Sequence, residues 1–126
     1  MTVILDAGAL VAIERRDRAA MAFVAREQWR ERMPVTHGGV VGQVWRGGGP
    51  RQAVVARALA GIRVIPLDDE LGRRVGALLA RTDASDVIDA ALVLLAQDGD
   101  EILTSDPDDL GTLLAASGTR AAIVTV

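Results

Sequence analysis

At 126 residues, half of them apolar, the chain makes one domain, residues 1–126, with ample material for a core. It has no cysteine, which excludes disulfides and thiolate metal sites, and its longest wholly apolar run, Ala90 to Ala96, falls far short of the roughly 20 residues a membrane span needs. A net charge of −3 and an aromatic content of 2% argue against a nucleic-acid coat and against a stacking platform for bases. All fourteen basic residues are arginine, so a mechanism that needs a lysine is excluded. The N-terminus runs directly into an apolar segment with no basic leader, so no signal peptide and a cytoplasmic location are expected.

The first segment, Thr2–Leu5, is a short strand ending at Asp6. Ala7–Glu14 reads as a helix. Asp17–Arg30 reads as a second, with Asp17 as N-cap and Met21, Val24 and Ala25 forming an apolar stripe. Met33–Thr36 is extended, because Pro34 biases its predecessor away from helix. Gly38–Trp45 reads both ways: its glycines are poor helix formers, yet Val40, Val41, Val44 and Trp45 recur at helical spacing. Gly47–Pro50 is a break. Arg51–Ala60 is helical and closed by Gly61. Ile62–Pro66 is a second strand. Asp68, Asp69 and Glu70 open a helix that reaches about Arg81, where three acids suit the helix dipole. Ser85–Ala96 is a helix apolar almost all round. Glu101–Thr104 is a third strand, Pro107–Ala116 a helix with proline at its first position, and Ala121–Val126 the last strand. Short strands alternating with helices predict an α/β fold: a three-layer α/β/α sandwich around a mostly parallel sheet of four or five strands.

That topology bears on the acids. Asp6 and Asp106 each follow a strand at its carboxyl end, where ligands of parallel sheets bind. Asp86 and Asp89 open the helix that runs back into the third strand, so they start at the same edge. Three residues apart, the two share one helix face. Like charges drawn together cannot all ionise without compensation, and no lysine and little local arginine is at hand. A divalent cation held by oxygen ligands, Mg²⁺ or Mn²⁺, compensates them, and such an ion suits phosphodiester chemistry. Taken singly, each aspartate also fits a cap or turn, and Asp106, Asp108 and Asp109 suit the dipole of the helix they open.

At these residues the sequence resembles the PIN domains, specifically the VapC-type ribonuclease toxins of bacterial toxin–antitoxin pairs. The resemblance is carried by Val3-Ile-Leu-Asp6-Ala-Gly-Ala-Leu10, by Asp86-Val-Ile-Asp89-Ala-Ala-Leu-Val-Leu-Leu-Ala96, and by Ile102-Leu-Thr104-Ser-Asp106-Pro-Asp-Asp-Leu110. It covers essentially the whole chain. It implies an Mg²⁺- or Mn²⁺-dependent endoribonuclease that leaves a 3′-hydroxyl and a 5′-phosphate, a small antitoxin partner and a homodimer. It also implies that Asp6, Asp89 and Asp106 are the catalytic metal ligands. Asp86 is a second candidate for the helix ligand, Asp108 or Asp109 an outer acid, and Thr104 a residue that orients a ligand or water. The glutamate usual on the helix after the second extended segment is Gln43 here. An amide coordinates or hydrogen-bonds but takes no proton, so Gln43 is either an accessory group or a solvated one. Arg46, one turn on, either holds a phosphate or pairs with the carboxylates.

Two other functions compete. A catalytically weak PIN domain acting as a protein-binding module is compatible with Gln43 and the acidic surface. A phosphoaspartyl receiver or phosphatase is disfavoured by the missing lysine and by a first strand that reads Asp6-Ala-Gly. His37 is expected in a loop, and Trp29 and Trp45 at the core or an interface. The helices at Asp17–Arg30 and Arg51–Ala60 offer apolar stripes for an antitoxin helix.

Overall fold

The computed structural model describes residues 1–126, the side chain of Arg51 excepted. Its centre is a five-stranded sheet, parallel throughout, in the order β3-β2-β1-β4-β5. The strands are β1 (Val3–Leu5), β2 (Val35–His37), β3 (Arg63–Ile65), β4 (Glu101–Thr104) and β5 (Ala122–Thr125). The segment expected only to be extended, Met33–Thr36, thus supplies a strand, and the run at Ile62–Pro66 becomes the third. Seven helices cover the sheet: α1 (Ala7–Glu14), α2 (Arg18–Trp29), α3 (Gly38–Val44), α4 (Pro50–Ala60), α5 (Asp69–Leu79), α6 (Val87–Leu95) and α7 (Pro107–Ser117). Helix α1 packs with α2, α3 and α4, and α6 packs with α5 and α7, giving one helical layer on each face. This is the three-layer α/β/α fold expected.

Sequence explains most of the element ends. Asp17 caps α2 by accepting the Ala20 N–H at 3.0 Å, and Asp68 caps α5 by accepting that of Leu71 at 2.9 Å. Asp69 and Glu70 follow in the first turn of α5, and Asp69 pairs with Arg73 one turn on, so these acids have the structural role their position suggests. The doubtful stretch after β2 is a helix after all, α3, because its valines bury one side: Val40 is 1% exposed. Gly47, Gly48 and Gly49 all take positive φ, which explains three consecutive glycines between α3 and α4.

The core is aliphatic. Ile4, Leu5, Ile102 and Leu103 of the two central strands are at most 1% exposed, and Leu10, Leu92, Leu110 and Leu113 cover them. Helix α6 reads as apolar all round because it has neighbours all round. It touches α5, α7, β1 and β2, and Ala90, Ala91, Leu92 and Val93 are all buried. Neither tryptophan lies in the core: Trp29 is 88% exposed and Trp45 44%.

At the amino edge of the sheet one buried acid is fully compensated. Glu27 of α2 is 1% exposed. Arg26 Nη2 lies 2.9 Å from its Oε1 and 2.9 Å from Oε1 of Glu101, at the start of β4. Arg32 Nε lies 3.2 Å from Glu27 Oε2, at ion-pair distance though outside hydrogen-bond geometry. Arg32 also donates to the Met1 carbonyl. Three segments distant in sequence are tied by one carboxylate. Glu27→Ala leaves two cations without their shared partner. The loss expected is about 2–3 kcal/mol, below the range for a wholly buried pair because both arginines are partly exposed. Urea unfolding checks it, with the midpoint falling at constant m-value; a loss under about 0.5 kcal/mol, the range of ordinary surface substitutions, overturns it.

Candidate metal centre

The sheet order reverses between β1 and β4. Chain leaving β1 is led away toward β2 and β3, and chain leaving β4 toward β5. Such a switch point opens a crevice at the carboxyl edge. Asp6 directly follows β1 and Asp106 comes two residues after β4, so they flank the crevice, and the N-terminus of α6 brings Asp86 and Asp89 beside them.

Each carboxylate has its own local duty. Asp6, 8% exposed, caps α1 by accepting the Ala9 N–H at 2.7 Å. Asp86 caps α6 by accepting the Asp89 N–H at 3.0 Å. Asp106 stands at the cap position of α7 but makes no capping hydrogen bond. Its own N–H donates to the Thr104 hydroxyl at 2.8 Å. Thr104 is wholly buried and also faces the carboxyl of Asp6.

The electrostatics record the convergence. Asp89 is pushed up to about 6, first by burial and then by the charges of Asp86, Asp6, Asp109 and Asp106. Asp6 is raised by burial and by Asp106, against the lowering effect of the Thr104 hydroxyl and the N–H groups of Ala9 and Gly8. Asp109 is raised chiefly by Asp106, through its charge and through a carboxyl–carboxyl hydrogen bond. Among the described residues none of these five acids forms an ion pair. The acid of α7 that acts on Asp89 is Asp109; Asp108, exposed on the same turn, acts on Asp109.

A cleft of about 310 Å³ opens over Asp86, Asp89 and Asp109, walled by Ala84, Ser85, Thr112 and Leu113. Sequence reasoning missed Thr112 as a lining residue, although its spacing of three from Asp109 puts it on the same helix face. Gln43 is exposed on α3, and no hydrogen bond joins it to the acids among the described residues. Arg46 forms no ion pair with the carboxylates among the described residues. Its guanidinium donates to its own neighbours, the carbonyls of Gly42 at 3.1 Å and Trp45 at 2.7 Å.

His37 is not a loop residue. It ends β2, is wholly buried, and caps α3 through Nδ1, which accepts the Gly39 N–H. Burial lowers its pKa, so the ring is neutral.

Among the described residues no three His, Cys, Asp or Glu side chains close around one point as a metal ion would have them. The donor chemistry nevertheless fits a hard divalent cation: carboxylate oxygens only, in mutual repulsion, with no protein cation to offset them.

No family model and no curated protein sequence matches the chain. Solved structures do. A chain of the VapBC2 complex of Rickettsia felis, bound to a DNA fragment from its promoter, superposes with a TM-score of 0.72 at 10% identity, over 98% of this chain and 99% of that one. VapC20 of Mycobacterium tuberculosis, a sarcin–ricin loop cleaving toxin, superposes with a TM-score of 0.58 at 18% identity, over 94% and 96%.

Repulsion within the cluster has a measurable consequence. Between the ordinary carboxyl value of 3.8 and about 6, folding adds a proton at Asp89, so stability falls as pH rises through that window. Asp86→Asn keeps a good cap and removes one charge. Carboxyl NMR should then show Asp89 titrating below its wild-type value. Stability at pH 7 should rise by about half a kcal/mol after solvent screening. An unmoved Asp89 would refute the repulsion. The chain has the PIN-like α/β/α fold of these VapC toxin structures over almost its full length.

Proposed function

We propose that the chain is an Mg²⁺- or Mn²⁺-dependent endoribonuclease and the toxin half of a toxin–antitoxin pair. The observation that carries this reading is the gathering of Asp6, Asp86, Asp89, Asp106 and Asp109 at the switch-point crevice with no cation to offset them. Asp6, Asp89 and Asp106 would hold the ion, and Asp86 would share it by giving up its cap on α6. When bound, the metal supplies charge neutralisation for a phosphodiester and an activated water.

The chain's own side chains do the rest. Thr104 holds the Asp106 backbone and faces Asp6, which fixes the separation of the two carboxylates that follow the central strands. Asp89, raised by burial and by the neighbouring acids, would gain its compensation from the ion it helps to hold. The cleft beside Asp86, Asp89 and Asp109 is open and polar enough for a strand of RNA, and Thr112 and Ser85 offer hydroxyls to a phosphate or ribose. Arg46 is not drawn into the cluster, so its guanidinium is available to a phosphate on exchanging its two backbone carbonyls.

A partner groove supports the antitoxin half of the proposal. Between α2 and α4 lies a depression of about 400 Å³, floored by Ile13, Met21, Val24 and Val54 and rimmed by Arg16 and Arg57. Apolar floor and cationic rim suit an amphipathic helix with acidic flanks. A soluble cytoplasmic homodimer is the matching expectation. One observation favours a second reading, a binding module with weak catalysis: among the described residues no three acids close on one point.

Purified protein should cut a labelled sarcin–ricin loop oligonucleotide, or total RNA, with Mg²⁺ or Mn²⁺ and stop on chelation. Asp6→Asn and Asp89→Asn should each lower the rate by at least about a hundredfold. Mn²⁺ should raise the melting temperature of wild type and of neither variant. Cutting that survives both substitutions refutes the site. Absence of both Mn²⁺ binding and cutting, with an intact groove, favours the binding module.

A further inference from the structure

The geometry points to the dipeptide Thr36–His37 as the device that positions Asp6 and Asp89. The inference rests on the nuclease reading and concerns what holds its carboxylates in place. Both side chains are 0% exposed. They are consecutive on β2, so they leave the strand on opposite faces. The Thr36 hydroxyl donates to the Leu5 carbonyl at 2.7 Å, and Leu5 precedes Asp6. His37 Nε2 lies 2.9 Å from the Ile88 carbonyl, and Ile88 precedes Asp89. A carbonyl only accepts, so Nε2 carries the proton, and Nδ1 is left to accept the Gly39 N–H at 3.1 Å.

In both cases the oxygen that is held belongs to the peptide group whose nitrogen is that of the aspartate. A peptide group is one rigid plane. Anchoring its oxygen therefore fixes the plane from which the aspartate Cα departs, and narrows the direction of its carboxylate. The paired register of β1 and β2 is set at Ile4 and Val35, and the Thr36 hydroxyl adds a side-chain tie at Leu5, one residue on. The first turn of α6 is capped by Asp86, itself one of the repelling acids. The His37 bond adds to the backbone bonds of α6 a tie from a neighbouring strand, one that does not depend on the Asp86 carboxylate.

Packing closes the arrangement. A Cβ added to Gly39 would stand 2.5 Å from Ile88 Cδ1 and 2.9 Å from His37 Cε1. The start of α3 thus lies directly on the ring and on the Ile88 side chain. Thr36 and His37 are positioning residues: neither takes part in the chemistry, and both act through the peptide next to a candidate ligand.

Two histidine variants separate the bonds. In His37→Gln the side-chain amide nitrogen replaces Nε2, which keeps the tie to Ile88 and gives up the cap on α3. In His37→Asn the side-chain oxygen replaces Nδ1, which keeps the cap and gives up the tie. Thr36→Val keeps shape and removes the hydroxyl. On the full chain, Mn²⁺ affinity should fall on the order of tenfold in His37→Asn and Thr36→Val and stay within about twofold of wild type in His37→Gln. Amide exchange at Asp89 and Ala90, read by NMR, should quicken in His37→Asn and not in His37→Gln. Affinity that merely follows the melting temperature in both histidine variants overturns the proposal. If wild type neither binds Mn²⁺ nor cuts RNA, the nuclease reading fails by itself. Exchange then decides: faster exchange in His37→Asn alone supports the positioning role, and equal exchange in both variants overturns it.

Discussion

The constraint on which the rest depends is the parallel sheet whose order reverses between β1 and β4. In a wholly parallel sheet every strand ends at one edge, and at a reversal the outgoing segments diverge and leave a crevice. Here both central strands are followed within two residues by aspartate, and the helix buried beneath them starts with two more. Asp86 and Asp89 open a helix with four consecutive buried residues, Ala90 to Val93, so the core fixes where that helix begins. The burial that raises Asp89 most, and the repulsion that adds to it, both follow from where α6 is packed.

Much of this was legible in the sequence, and what was not had physical causes. Asp6 and Asp106 could be placed because strand-then-helix order fixes an edge, and Asp17 and Asp68 because a cap is a local event. Strand β2 was harder: three residues carry too little alternation to identify a strand, and the glycines after it mask the helix that follows. His37 escaped for a related reason. Its role is set by Ile88, fifty-one positions away, and nothing near it in sequence indicates burial. The choice between Asp108 and Asp109 depended on helix phase, which neighbouring acids leave open. Trp29 is not in the core because its place at the last turn of α2 leaves it 88% exposed.

Gln43 brings no charge to the acids, which raise Asp89 and Asp109 without it. Helix α7 meanwhile brings Asp109 into the same field, one turn from Asp106. Its position makes the acids of α6 and α7 into facing walls of one cleft, whereas α3 contributes a neutral and exposed amide. The negative potential is thus concentrated on the α6–α7 side.

The two edges of the sheet treat a carboxylate in opposite ways. At the amino edge Glu27 is buried and meets two arginines, one of them shared with Glu101. At the carboxyl edge five acids meet one another and, among the described residues, no arginine. With fourteen arginines in the chain, the composition had cations to spare for both edges. A sequence shaped for stability alone would have placed one beside Asp89, since uncompensated like charges cost stability wherever they ionise. Charges are thus matched at one edge and unmatched at the other, which puts the stabilising ion pairs and the uncompensated acids at opposite ends of the same strands.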